Sequence, residues 1–156
     1  MKIQGSDTQK KKKVLFICTG NSARSQMAEG LTRHLSKGSV EVHSAGLEPK
    51  GLNPYAIKVM DEIGINIRDQ KSKEIYPALL NQADLIVTVC GNAEERCPVT
   101  PPGIQRLHWP LPDPAKATGS ESEISSRFRG VRDEIRKRIE SLLKEPGFDD
   151  VKRRQP

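Results

Sequence analysis

Val14-Leu15-Phe16-Ile17-Cys18-Thr19-Gly20-Asn21-Ser22-Ala23-Arg24-Ser25 is the stretch that decides how this 156-residue chain folds. Its first five residues form a continuous apolar run. That is far short of the roughly 20 residues of a membrane span, and it is the pattern of a strand buried on both faces of a parallel sheet. Thr19 to Ser22 are turn-formers that end the strand. From Ser25 the period changes, with Met27, Ala28, Leu31 and Leu35 at helical spacing until Gly38 stops them. The stretch predicts strand, loop, helix.

Working outward, the same alternation recurs. The sequence predicts a strand over 40–43, a helix over 54–63 closed by Gly64, and a shorter helix over 74–80. Asp84 leads into a strand over 85–89, and 105–109 reads as a fourth. A long C-terminal helix is opened by a capping box, Ser120 with Glu123 three residues on. Phe128, Val131, Ile135, Ile139 and Leu142 form its apolar stripe, and Pro146-Gly147 ends it. Strands alternating with helices predict one α/β domain, its parallel sheet covered on both faces through right-handed crossovers. Ligands in such folds bind outside the carboxyl ends of the strands, which directs attention to the segments after Ile17, Val89 and Trp109.

Lysine and arginine outnumber aspartate and glutamate by 26 to 20, a net charge of +6 that invites a nucleic-acid or anion partner. Most of the excess sits in residues 1–13, which hold five lysines against Asp7, while the body of the chain is nearly neutral. Residues 1–13 are expected to be a disordered basic tail, 14–145 the domain and 146–156 a flexible tail. Nucleic acid and membrane are therefore not expected partners. Three cysteines are an odd number, and the polar N-terminus has no apolar signal region. A cytoplasmic, reducing compartment is expected, where surplus thiols are catalytic, metal-binding or buried.

Cys18 and Arg24 stand six apart between a strand and a helix start. That spacing lets Thr19, Gly20, Asn21, Ser22, Ala23, Arg24 and Ser25 curl into a cradle for a tetrahedral oxyanion. The cradle would be lined by backbone N–H groups, a helix N-terminus and a bidentate guanidinium. Such surroundings favour a thiolate, making Cys18 a candidate nucleophile, and Ser25 could donate to its sulfur. A bare C-x5-R spacing equally fits a buried thiol beside a surface arginine; the strand before it and the helix after it favour the cradle. Cys90 follows the third strand and so lies at the same sheet edge, with Cys97 seven residues later. Zinc is disfavoured because the spacing matches no C-x2–4-C pattern and none of the three histidines is near the cysteines. That leaves redox partners for Cys18 or two inert thiols.

The run VLFICTGNSARSQMAEG, together with Ser44-Ala45-Gly46, Asn53-Pro54, Ala83-Asp84-Leu85, Cys90, Cys97-Pro98 and Asp113-Pro114, resembles the thioredoxin-coupled arsenate reductases, relatives in fold of the low-molecular-weight protein tyrosine phosphatases. The resemblance spans 14–143 and implies a four-stranded parallel sheet with helices on both faces. It also implies reduction of arsenate to arsenite in arsenic detoxification. Cys18 would attack the arsenic, Cys90 the Cys18 sulfur, and Cys97 then Cys90, leaving a redox-active Cys90–Cys97 disulfide for thioredoxin, or glutaredoxin with glutathione, to reduce. Asp113 would be the general acid. No cofactor or metal is implied, and a monomer is the default.

Two positions depart from the family pattern. Ala23 stands where both families often carry a second loop cysteine. Asn21, Glu29 and Ser44 match the ligands of a monovalent cation bound by some arsenate reductases, but Lys73 replaces the expected acid, so its ammonium is expected to take the cation's place. Two other functions compete. A phosphatase would discharge its intermediate with water and need neither Cys90 nor Cys97, and it would favour aromatic residues where Ala115-Lys116-Ala117 stand. A non-catalytic oxyanion-binding protein would need only the cradle.

Overall fold

Successive side chains of a strand point to opposite faces of its sheet. Val14 to Cys18 are nonetheless all at most 2% exposed, so both faces of this strand are covered. In the computed structural model, which describes residues 11–90 and 100–148, that strand is β1 (Lys12–Cys18). After it come α1 (Arg24–Leu35), β2 (Val40–Gly46), α2 (Pro54–Asp61), α3 (Pro77–Gln82), β3 (Leu85–Thr88), β4 (Gln105–His108), a 3-10 turn (Pro114–Lys116) and α4 (Glu121–Leu142). The four strands form one parallel sheet in the order β2-β1-β3-β4. This is the single α/β domain that the alternation predicts. Among the described residues no helix is long and apolar enough to cross a membrane.

Register places the chemistry. Cys18 pairs with Gly46, Ile17 with Thr88 and Thr88 with His108, so the carboxyl ends of all four strands meet along one edge. α1, α2 and α4 pack on one another, α1 also lies on β1 and β2, and α3 packs on β1. The α4 stripe Phe128, Val131, Ile135, Ile139 and Leu142 is buried, with Phe128 stacked on Tyr55 at 5.4 Å between ring centroids. The capping box is present: Glu123 N–H donates to Ser120 Oγ at 3.1 Å and Ser120 N–H to Glu123 Oε1 at 2.9 Å. Each such cap stabilises a helix by about 1 kcal/mol.

Several element ends differ from the sequence expectation: β2 runs on to Gly46 rather than 43, α2 ends at Asp61 rather than 63, and β3 and β4 each stop one residue earlier, at Thr88 and His108. Two starts differ as well. β1 starts at Lys12, ahead of the apolar run, because Lys12 and Lys13 pair with Val40 and Glu41, and Lys13 N–H donates to Asp84 Oδ2 at 2.8 Å. The helix expected over 74–80 is instead α3, opening at Pro77. Proline suits the first helical position but disfavours helical backbone in the residue before it, so the helix cannot run back through Tyr76. Glu74 instead bridges to Gly46, with Ile75 N–H donating to Gly46 O at 3.1 Å.

Candidate active site

Between Cys18, the last residue of β1, and Arg24, the first of α1, the loop carbonyls are all taken up on one side. Leu47, Glu48, Lys50 and Asn53 donate backbone N–H groups to the carbonyls of Cys18, Thr19, Gly20 and Ser22 at 3.3, 2.8, 2.9 and 2.9 Å. Gln26 Nε2 donates to Asn21 O at 3.0 Å, and Ser72 Oγ to Gly20 O at 3.1 Å. With its carbonyls held by the 47–53 strap, Gln26 and Ser72, the loop suits a backbone nest, in which N–H groups not engaged elsewhere would meet an anion. α1 reinforces this polarity. Its N-cap is Ala23, which supplies no side-chain acceptor, and its first turn contains no acid. The positive dipole end of such a helix favours an anion over a cation.

Close approach of loop and strap requires glycine at 46. A Cβ there would sit 2.8 Å from Thr19 O and 2.9 Å from both the amide nitrogen and Cβ of Asn21. Asn21 itself adopts φ +45°, a left-handed conformation that asparagine tolerates better than most residues.

A polar chain of fixed direction runs behind the loop. Asn21 Nδ2 donates to Ser25 Oγ at 2.8 Å and to Ser44 Oγ at 2.9 Å, and Asn21 Oδ1 accepts from Lys73 N–H at 2.8 Å. Because Ser25 Oγ accepts from Asn21, its own proton is free to point at Cys18 Sγ, 2.8 Å away. Asn21 N–H donates to the same sulfur at 3.2 Å. Both contacts converge on the Cys18 sulfur. On the other branch Ser44 Oγ donates to Glu29 Oε1 at 2.6 Å, and Arg33 closes the chain on Glu29 Oε2 at 2.7 Å. Here the expectation for Lys73 is corrected: its backbone N–H, not its ammonium, meets Asn21, and the cation opposite Glu29 is the Arg33 guanidinium.

Cys18, Thr19, Gly20, Ser22, Ala23 and Arg24 line a cleft of about 600 Å³, together with Lys50, Cys90, Asp113, Ala115 and Lys116. Asn21 and Ser25 are fully buried behind it and shape the loop. Thr19 Oγ1 lies 3.2 Å from Cys90 Sγ, tying the second cysteine to the residue next to Cys18. Arg24 donates to Leu111 O at 3.1 Å and faces the Asp113 carboxylate at 3.6 Å. Asp113 Oδ1 also accepts from Ala115 N–H at 3.0 Å, which holds the carboxylate over the cleft. Cys97 lies outside the described residues. The 47–53 strap, Gln26, and the rim cations Lys50 and Lys116 are additions that sequence reasoning missed. Only Gly46 and Asn53-Pro54 carried a signal, as residues of the family resemblance.

Comparison with known proteins agrees with this geometry. The family model "Low molecular weight phosphotyrosine protein phosphatase" matches residues 13–154. An arsenate reductase of Shouchella clausii is 53% identical over 132 residues, covering 85% of this chain and 95% of its own. The solved structure of an arsenate reductase in the phosphate binding state superposes with a TM-score of 0.70 at 35% identity, over 85% of this chain and 97% of that one. A thioredoxin-dependent arsenate reductase of Corynebacterium glutamicum does so with a TM-score of 0.65 at 32% identity, over 89% and 67%. The chain thus belongs to the low-molecular-weight phosphotyrosine protein phosphatase family, among relatives that are named arsenate reductases.

Proposed function

We propose that this chain reduces arsenate to arsenite, with Cys18 as nucleophile and Cys90 and Cys97 as the resolving pair. The observation that carries this is the second cysteine in the cleft: Cys90 Sγ, held 3.2 Å from Thr19 Oγ1, lines the same cavity as Cys18. A phosphatase, which discharges its intermediate with water, has no use for it.

In the proposed sequence arsenate enters the cradle and takes hydrogen bonds from the loop N–H groups and the Arg24 guanidinium. Arg24 exchanges Asp113 for the oxyanion, and Asp113 relays a proton from hydrogen arsenate or solvent to the departing oxygen as general acid. The Cys18 sulfur bonds to arsenic and the oxygen leaves as water. Cys90 thiolate then attacks Cys18 Sγ. An S–S bond forms, the S–As bond breaks, and its electron pair stays on arsenic, which leaves as arsenite. Cys97 attacks Cys90 and frees Cys18, and the resulting Cys90–Cys97 disulfide is reduced by thioredoxin.

A relay of free thiols needs a reducing compartment, which supports a cytoplasmic location. A monomer is supported by the described surface, whose one exposed large hydrophobic residue is Tyr76. The cradle and Asp113 also suit phosphate monoesters, so weak phosphatase activity is expected. Among the described residues the opening is rimmed by Lys50, Ala115 and Lys116, with no aromatic residue to stack on an aryl ring.

Arsenate-dependent NADPH oxidation with thioredoxin and its reductase tests the proposal. Wild type turns over and Cys90→Ser does not. No turnover by wild type with thioredoxin, but turnover with glutaredoxin and glutathione, would change the reductant; unimpaired turnover by Cys90→Ser would remove the relay.

A further inference from the structure

We propose that Lys50 and Lys116 are a pair of cationic gateposts that make the cleft select doubly charged tetrahedral oxyanions over singly charged ones, setting KM and leaving kcat alone. The proposal rests on the reading of the Cys18 loop as an oxyanion cradle. It adds the two residues that decide which charge the cradle admits.

The charges that line the cleft carry the argument. Among the described residues three cations, Arg24, Lys50 and Lys116, face it against one acid, Asp113. Arg24 and Asp113 lie 3.6 Å apart and offset each other, and Arg24 also donates to Leu111 O at 3.1 Å. The charge that an approaching anion meets is therefore that of the two lysines, added to the positive end of α1. Both lysines are exposed, and neither forms an ion pair with another described residue. The chain's excess of +6 does not substitute for them, because most of it lies in residues 1–13.

Each lysine is anchored by the backbone of the site itself. Lys50 N–H donates to Gly20 O at 2.9 Å, and its Cγ and Cδ pass 3.6 and 3.5 Å from the Cβ position of Gly20, so its stem lies along the loop. Lys116 ends the 3-10 turn that opens at Pro114, and its N–H donates to Asp113 O at 3.2 Å. One cation is thus tied to the nucleophile loop and the other to the acid's loop. By Coulomb's law the free energy a fixed cation gives an anion scales with the anion's charge, so a dianion gains twice what a monoanion gains at the same place. Sulfate and perchlorate share the tetrahedral shape and differ in charge, two against one. They therefore separate the contribution of the lysines from that of the cradle.

The test reads Kd for sodium sulfate and sodium perchlorate on the reduced full chain, as the anion concentration that halves alkylation of the Cys18 peptide by iodoacetamide at constant ionic strength. Lys50→Met and Lys116→Met, each checked by thermal melt, keep the stems and remove the charges. Each should raise Kd for sulfate about 3–10-fold and Kd for perchlorate about 2–3-fold, the square root of the first factor. Lys50→Arg and Lys116→Arg should keep the wild-type values, and so should Lys144→Met, which lies just past the far end of α4. Added sodium chloride should narrow the gap between wild type and the Met variants. In thioredoxin-coupled turnover KM for arsenate should rise by the sulfate factor while kcat holds. Equal factors for the two anions, a fall in kcat at unchanged KM, or Arg variants that behave like the Met ones would overturn the proposal. No protection of Cys18 by either anion would remove the cradle and the gateposts together. Charge selectivity in a protein that fails to reduce arsenate refutes only the arsenate assignment. Arsenate turnover by wild type, with Met variants that bind both anions as wild type does, refutes only the gateposts.

Discussion

Replacing Gly46 with alanine inserts a methyl group where loop and strap touch. The new carbon would lie 2.8 Å from Thr19 O and 2.9 Å from Asn21 N and Cβ. Two of these three neighbours are backbone, and the Asn21 side chain is anchored to Ser25, Ser44 and Lys73, so none is a free side-chain end that can swing aside. Ordinary contact requires the loop to retreat by roughly 0.5–1 Å, and overpacking of this kind costs about 1–3 kcal/mol. In a chain of this size that lowers Tm by about 2–12 °C. A displacement near 1 Å at the reacting atoms costs on the order of 100-fold in rate, so kcat/KM for arsenate is expected to fall between about 10-fold and 100-fold. The assay is thioredoxin-coupled turnover beside a thermal melt, with Gly130→Ala as control. Gly130 lies inside α4 with nothing near its Cβ position, so alanine there stabilises by about 0.5–1 kcal/mol and leaves turnover unchanged. A Gly46→Ala protein with wild-type turnover and melting would refute the view that the strap dictates the cradle.

Ser25→Ala removes the hydroxyl facing Cys18 Sγ and orphans one N–H of the buried Asn21 amide. A hydrogen bond to a charged group contributes about 1.5–3 kcal/mol, so kcat/KM should fall at least about 10-fold, and wild-type turnover by the variant would contradict the donor role. The Glu62 carboxyl is held at about 2, against an ordinary 4.5, by the Arg129 guanidinium and then by Arg132. Its folded value is depressed, so this stabilisation is fully present above pH 4.5 and is lost as pH falls from there toward 2. Solvent screening limits it to about 1 kcal/mol. Glu62→Gln should therefore flatten the acid limb of a Tm-against-pH curve, and a superimposable limb would show that the pair contributes nothing. Because Arg33 occupies the charge of Glu29, potassium chloride and sodium chloride at equal ionic strength should give the same Tm; a rise specific to potassium would show that a cation still binds.

Much of this was legible along the chain because it is local. The apolar run into Cys18, the turn-formers and the change of period at Ser25 announce strand, loop and helix within a dozen residues, and the capping box at Ser120 announces α4 in four. What stayed hidden depends on residues far apart in sequence. The strap over 47–53 has no periodicity, and its role of holding loop carbonyls appears only when β2 lies beside β1. The helix expected from Glu74 fails because Gly46 offers that segment a bridge and Pro77 fixes a later start. Lys73 reads as a free cation, yet its backbone is what the site uses. Arg33 looks like an ordinary surface residue of α1, yet it meets the buried Glu29 one turn away.

The central claim is that Cys90 captures the Cys18 sulfur while arsenic leaves. Cys97→Ser blocks the step that would erase the evidence. Mixed in reduced form with one equivalent of arsenate and digested under acid, this variant should release one equivalent of arsenite and yield a peptide pair joined through Cys18 and Cys90. Arsenite released without that disulfide, or no arsenite at all from a folded protein, would contradict the account.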